Sequence, residues 1–347
     1  MHSGRSKLGA VIAALGPVTR FAVGPAVQNA TQIALHRALS GRPWIGEPIA
    51  MALAAQIQQV AVWTSVSVPE LAPHLRDVVA YQRRVDALLE LGLAHAARVL
   101  AGLSPVVLLK GSAAGSWVYP DSACRQRRDL DLLVGDSLPE IRRVLLGRGW
   151  KDANDPRNGS DPAVGRAWNM SVDLGGGRIN LDLHRTLVHT AWCRPDVVSM
   201  LAQRVTGRAP LPVTSAADTF VTTVIHLLGT GFHEPLKGWI DLLRLLPHVM
   251  PDELAKRSRV HGIVSGVWLC LGVLSRWFGA AVDAYRTALG RPLQGSLLEY
   301  LAAGEHATPE RQPLPRGVSY RLWPALVRDI GAGFSPRSAV DTIAGKT

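Results

Sequence analysis

The feature that most constrains the fold of this chain is a short β-prone run, residues 129–134, in which carboxylates alternate with leucines. Because successive side chains of a strand point to opposite faces, Asp129 and Asp131 project from one face and Leu130 and Leu132 from the other. Burial of the leucine face would anchor the strand and leave the two acids side by side. Adjacent carboxylates repel each other unless a positive charge lies between them, so the run predicts a strand that carries a divalent-metal site.

The composition is that of an ordinary globular protein with a basic surface. The 347 residues are 47% hydrophobic and 19% charged, which is enough for two domains and a sizeable core. The net charge of +11 favours anionic partners, but the basic residues form only short clusters, so nucleic acid is a possible partner and not the favoured one. The three cysteines are far apart and have no metal-ligand spacing, which indicates a reduced, cytoplasmic chain.

Two apolar runs raise the question of a membrane. Residues 8–18 follow two basic residues, as in a signal peptide, but no clear cleavage site follows, and a helix of the first domain is the simpler interpretation. Residues 262–281 contain Arg276 and two serines, which suit a buried helix better than a membrane span. We therefore expect no membrane partner.

The spacing of apolar residues changes along the chain. It is helical at first, then becomes strand-like around the acidic run, and is helical again afterwards. The predicted organisation is an N-terminal helical region (1–103), a mixed α/β core (104–190), a helical domain (191–335) and a loose tail rich in Pro, Gly and Ser (336–347).

A β-hairpin in the α/β core brings a third acid. Residues 168–174 and 178–184 predict two strands that turn on three consecutive glycines, and the second strand carries Asp182 between leucines. If that strand pairs beside the acidic run, Asp182 lies on the same face as the other two carboxylates. Three carboxylates can hold two Mg²⁺ ions about 4 Å apart, the arrangement used for phosphoryl and nucleotidyl transfer.

A strand-to-helix turn before the acidic run suits a phosphate. Gly111 lets the backbone approach a phosphate, the helix that follows offers free N–H groups, and Ser112 adds a hydroxyl. Lys110 and Arg125 would add positive charge to a polyphosphate. A simple helix-start turn is the alternative explanation for these residues.

Three further residues are secondary candidates. Lys237 and Asp241 are four apart on a predicted helix, which indicates either an exposed ion pair or a lysine that reaches a phosphate or the acceptor. His184 shares a strand face with Asp182 and would orient a metal ligand.

Several short motifs spread over residues 80–290 form one pattern. They are Leu109-Lys110-Gly111, Tyr119-Pro120-Asp121, Arg125, the acidic run 129–134, Leu181-Asp182-Leu183-His184, His226 and Trp239-Ile240-Asp241-Leu242-Leu243. The pattern resembles the bacterial nucleotidyltransferase-family proteins of the polymerase-β-like superfamily. The resemblance implies an α+β minimal nucleotidyltransferase fold, a mixed sheet flanked by helices, with N-terminal helices and a C-terminal helical domain that closes over the nucleotide and acceptor.

The resemblance also implies roles for individual residues. Asp129 and Asp131 would ligate both Mg²⁺ ions, and Asp182 would complete the shell of the catalytic metal and help to deprotonate the acceptor hydroxyl. Gly111 and Ser112 would cradle the β- and γ-phosphates of an NTP. The interval 113–128 is longer than the usual spacing in the superfamily and carries three arginines, so it is a candidate part of the phosphate site. The longer interval leaves the role of Ser112 open.

The predicted activity is Mg²⁺-dependent transfer of an NMP group from an NTP, with ATP as the first candidate. The acceptor would be a hydroxyl of a small molecule or of a peptide or protein, and pyrophosphate would be released. Two alternatives remain open. One is a non-catalytic nucleotide- or partner-binding module with the same fold. The other is RNA-directed nucleotidyl transfer, in which the net charge of +11 would bind the RNA backbone.

Overall fold

The structure is a computed structural model that describes residues 35, 38–39, 41, 48–57, 59–103, 105–153, 167–187, 193, 195–229 and 236–292. The predicted helix over 8–18 and the predicted tail over 336–347 lie outside these residues. In the part of the chain that the structure describes, no helix has the length and apolar character needed to span a membrane.

Three helices that the structure describes from end to end precede the sheet, as the helical spacing of this region predicts. They are α1 (Pro48–Ile57), α2 (Ala61–Ser67) and α3 (Ala72–Leu100). The longest, α3, has 29 residues and a one-sided apolar stripe that includes Leu75, Leu89 and Leu93. This stripe is buried, and its C-terminal half packs against the sheet.

The α/β core is built on a mixed five-stranded sheet. Its strands are β1 (Val107–Leu108), β2 (Leu130–Leu133), β3 (Lys151–Asp152), β4 (Ala167–Asp173) and β5 (Arg178–His184). Their order is β1-β2-β5-β4-β3, with β2 and β5 parallel and the other neighbours antiparallel. The predicted hairpin is confirmed as β4 and β5, and its second arm pairs beside the acidic strand. Helices α4 (Lys110–Val118) and α5 (Leu138–Leu146) complete this part of the chain.

The leucine face of the sheet is the anchor that the alternation predicts. Leu130 and Leu132 of β2 and their register partners Leu181 and Leu183 of β5 are fully buried. They pack against apolar residues of α3 and α5 in one cluster. Each such leucine contributes about 1.5–3 kcal/mol of burial free energy, so the register that places the acids on the opposite face is strongly favoured.

The remaining described helices form the second half of the molecule. They are α6 (Val197–Ala202), α7 (Ala216–Gly229), α8 (Leu236–Leu245), α9 (Pro251–Val260), α10 (Val264–Phe278) and α11 (Asp283–Leu289). The apolar run 262–281 forms α10, and its core residues are buried among the other helices, which confirms the prediction of a core helix. The chain is therefore an α+β protein, as predicted. The predicted domain boundaries stay predictions.

The close packing of α3 on the sheet is testable at Gly92. A Cβ at this position would lie 2.7 Å from Ile179 Cγ2, whereas a Cβ at Gly115, also inside a helix, would meet nothing within 4 Å. Gly92→Ala should therefore cost about 1–3 kcal/mol from overpacking, less the helix-propensity gain of up to about 1 kcal/mol. Gly115→Ala is the matched control and should stabilise by about 0.5–1 kcal/mol. Urea unfolding measures both, and equal stability of the two variants would contradict this packing.

Candidate active site

Two of the predicted acids are direct neighbours on parallel strands. Asp131 of β2 and Asp182 of β5 are register partners, so their side chains leave the sheet side by side on the face opposite the leucines. Asp131 is 8% exposed and Asp182 is half-buried. Ligand atoms of Asp131, Asp182 and His184 all lie within 4.8 Å of one another. This trio is the compact group that could hold a metal ion.

Two cationic or polar partners hold the Asp131 carboxylate. The Lys110 ammonium donates to Asp131 Oδ1 at 2.6 Å, and His184 Nε2 lies 2.8 Å from the same oxygen. Among the described residues, no hydrogen bond ends on Oδ2, so this oxygen is the one left to ligate a cation. Burial acts to raise the pKa of Asp131, but Lys110 and His184 outweigh it and hold this pKa well below its ordinary value. Asp131 is therefore a permanent carboxylate.

The backbone of Lys110 is unusual for a residue with a side chain. Its φ is +48°, in the left-handed region that costs a non-glycine residue about 1–3 kcal/mol. The residue lies where β1 ends and α4 begins, directly beside β2, and the Leu109 N–H donates to the Asp131 carbonyl at 3.0 Å. The strained turn thus sets the lysine against the central carboxylate.

Asp182 differs from Asp131 because no residue that the structure describes forms an ion pair with its carboxylate. Burial, Asp131 and Asp129 together raise the pKa of Asp182 to about 6. The three carboxylates thus repel each other as the sequence predicts, and this repulsion contributes to the raised pKa of Asp182. A divalent cation would relieve this repulsion, so the oxygen and nitrogen donors of the trio fit one.

Asp129 lies at the edge of this group. It immediately precedes β2, is exposed, and is not part of the compact trio. Although the residue as a whole is exposed, neighbouring protein partly desolvates its carboxyl group. This desolvation and the charge of Asp131 raise the pKa of Asp129, and Lys110 and Lys237 oppose that rise. Asp129 is therefore within electrostatic reach of the other acids and of Lys237 in the first turn of α8. Its role as a metal ligand stays a prediction.

Gly111 and Ser112 lie in the first turn of α4 and face protein. The Ser112 hydroxyl is buried and accepts a hydrogen bond from Arg127 Nη1 at 3.3 Å. A Cβ at Gly111 would lie 3.3 Å from Arg125 Cζ, so the missing side chain makes room for that guanidinium. Their assignment to the phosphates stays a prediction.

Arg125 and Arg127 form buried ion pairs that sequence reasoning missed. Arg125 Nε donates to Asp241 of α8 at 2.6 Å, and Arg127 Nη2 pairs with Asp86 and, at 2.6 Å, with Glu90 of α3. The loop before β2 is therefore fixed to helices on both sides. The exposed ion pair considered for Asp241 is wrong, because this carboxylate is buried and bound to Arg125. An acid inside the apolar spacing of α3, Asp86, was the available signal for the Arg127 pair.

One of three comparisons with known proteins finds a match to this chain. Residues 47–279, about two thirds of the chain, match the model of a family described as uncharacterised nucleotidyltransferase. Neither the curated proteins nor the solved structures contain a significant match to the chain. The matched range includes every residue of the trio, Lys110, and the α8 helix.

The raised pKa of Asp182 predicts a pH-dependent metal affinity. A protonated carboxyl cannot ligate a cation, so Mn²⁺ affinity should rise as the pH passes upward through about 6, and its Kd should be about tenfold weaker at pH 5 than at pH 7. Isothermal titration of the protein with Mn²⁺ at several pH values measures this.

Asp182→Asn is the control for that titration. Because the pKa of Asp131 lies well below this range, the variant should bind Mn²⁺ more weakly at pH 7 and show little change in affinity between pH 5 and pH 7. The same tenfold change in the variant would assign the titration to another group and contradict the account of Asp182.

Proposed function

The chain belongs to the uncharacterised nucleotidyltransferase family and is an enzyme of the nucleotidyltransferase type, and from this premise we propose that it transfers an NMP group from an NTP to a hydroxyl and releases pyrophosphate. The observation that carries the proposal is the placement of Asp131 and Asp182 as register partners on adjacent parallel strands, with His184 beside them. ATP is the first candidate donor.

Mg²⁺ is the proposed cofactor, held by Asp131 and Asp182, with Asp129 as the further ligand in a two-metal arrangement. When bound, the metal stabilises negative charge on the α-phosphate and the leaving group and lowers the pKa of the acceptor hydroxyl. Lys110 and His184 orient the Asp131 carboxylate through Oδ1. Asp182, ionised at neutral pH and half-buried, is the proposed acceptor of the proton from the attacking hydroxyl.

The proposed triphosphate site lies between two helix N-termini. Lys110 begins α4 and contacts Asp131, and Lys237 in the first turn of α8 acts on Asp129. The N–H groups of the first turn of α4, including that of Gly111, and the two ammonium groups favour a bound anion. Ser112 and Arg125 are proposed to support this site from within the protein, because both are already hydrogen-bonded to neighbouring side chains.

The acceptor is proposed to be a small molecule or a peptide or protein side chain. Nucleic acid is the less favoured acceptor, because the basic residues form only short clusters along the sequence. We also propose a cytoplasmic setting, supported by three cysteines that are all buried and free.

A transfer assay tests the function. The protein is incubated with Mg²⁺, α-labelled NTPs and pools of hydroxyl-bearing acceptors, including serine- and tyrosine-containing peptides, and labelled products and pyrophosphate are measured. Wild type should label an acceptor only with Mg²⁺, and Asp131→Asn should lower the rate by about 100-fold or more while nucleotide still binds.

Asp136→Asn is the matched control, because it removes a fully exposed carboxylate just beyond β2 and should leave the rate unchanged. A wild-type protein that binds no NTP and labels no acceptor would overturn the proposal. If RNA alone became labelled, with steeply salt-dependent binding, the acceptor class would be RNA and the small-molecule and protein acceptors would be excluded.

A further inference from the structure

Three residues from positions 111–125 meet Asp241 of α8 in one buried cluster. Asp241 is 1% exposed and accepts hydrogen bonds from Tyr119 Oη at 2.9 Å and from Arg125 Nε at 2.6 Å. Gly111 lies against the Arg125 guanidinium, where a Cβ would approach Cζ to 3.3 Å. We refer to Gly111, Tyr119, Arg125 and Asp241 as the Asp241 cluster. It joins α4, the loop before β2, and α8.

The same face of α8 carries three polar residues spaced by four and three positions. Lys237 acts electrostatically on both Asp129 and Asp241. Arg244 Nε donates to the Val118 carbonyl at the end of α4 at 3.0 Å, and its guanidinium lies 5.2 Å from the centre of the Tyr119 ring. The helix thus contacts the end of α4 at one point and reaches the acids at another, with Asp241 between them.

These contacts make a direct phosphate contact the weaker explanation for Arg125. Its side chain is 8% exposed, its Nε is bound to Asp241, and its Nη1 donates to the Gln126 carbonyl at 2.7 Å. A buried ion pair costs desolvation and is weak evidence for stability, and such pairs are best understood where they fix one geometry. Here the geometry that is fixed is the register of α8 against the loop that leads into β2.

We propose that Asp241, held by Tyr119 and Arg125, is a positioning residue that fixes Lys237 at the triphosphate site. The inference rests on the proposed function, because it assigns Lys237 to the nucleotide. Lysine has a long side chain with a point charge, so its contact with a phosphate depends on where the helix places its Cα. Helix α8 thus contributes to nucleotide binding through Lys237, and the Asp241 cluster determines the position of this lysine.

A double-mutant cycle on nucleotide affinity tests this role. The Kd of Mg²⁺-bound ATP, or of whichever NTP binds wild type, is measured by isothermal titration for Lys237→Met, Asp241→Asn and Tyr119→Phe. It is also measured for the two double variants that combine Lys237→Met with each of the others. Lys237→Met and Asp241→Asn should each weaken binding about tenfold, and the isosteric Tyr119→Phe about threefold. In the Lys237→Met background, Asp241→Asn and Tyr119→Phe should each add less than about twofold, because they act through the absent lysine.

Two matched controls separate positioning from general stability. Asp218→Asn breaks another buried pair, in which Arg257 Nε also lies 2.6 Å from the carboxylate, and Tyr285→Phe removes another tyrosine hydroxyl that donates to backbone carbonyls. In the part of the chain that the structure describes, neither side chain forms a hydrogen bond with the three acids, so both variants should leave the Kd unchanged. Where Asp241→Asn does not fold, Tyr119→Phe and its double variant decide, since they preserve the charges and volume of the cluster.

The outcomes distinguish this inference from the proposed function. If wild type binds no NTP, both fail. If wild type binds an NTP and Tyr119→Phe and Asp241→Asn bind it equally well, or weaken it by the same factor with and without Lys237, the positioning role is overturned and the transferase function stands. A loss of affinity that disappears in the Lys237→Met background supports the inference.

Discussion

The structure of the site depends on one constraint, the parallel pairing of β2 with β5 over a buried leucine face. Because Leu130 and Leu132 are register partners of Leu181 and Leu183, Asp131 and Asp182 must lie side by side on the opposite face. The burial that stabilises the sheet therefore produces a concentration of negative charge. Lys110 neutralises part of it at Asp131, His184 forms a hydrogen bond with the same carboxylate, and the remaining repulsion appears as the raised pKa of Asp182. A protein fold has thereby created a site that a divalent cation would complete.

Buried ion pairs connect the loop before β2 to the neighbouring helices. Arg127 binds Asp86 of α3 and Arg125 binds Asp241 of α8, so the loop that leads into β2 is fixed to both helices. Such pairs contribute little net stability after desolvation, but the loss of one partner leaves an uncompensated buried charge. The chain therefore has few alternative positions for this loop, and the acids at its end share that restriction. Because the chain belongs to the uncharacterised nucleotidyltransferase family, this arrangement of acids is the candidate active site.

The local parts of this picture could be predicted from the sequence, and the long-range parts could not. Alternation gave the strand at 130–133, and three glycines marked the hairpin that carries Asp182. The pairing of Arg125 with Asp241 joins residues that no local spacing relates, so the sequence assigned the interval 113–128 to the phosphate site and did not predict this pair. Gly111 illustrates the same limit. Its pattern suits a phosphate, whereas its surroundings in the structure show a close approach by Arg125.

Anomalous diffraction from crystals grown with Mn²⁺ and a non-hydrolysable NTP would test the central claim most directly. The account predicts a Mn²⁺ peak coordinated by carboxylate oxygens of Asp131 and Asp182, with the triphosphate between Lys110 and Lys237. Well-ordered crystals in which nucleotide and Mn²⁺ bind elsewhere, or in which both are absent at saturating concentration, would contradict it.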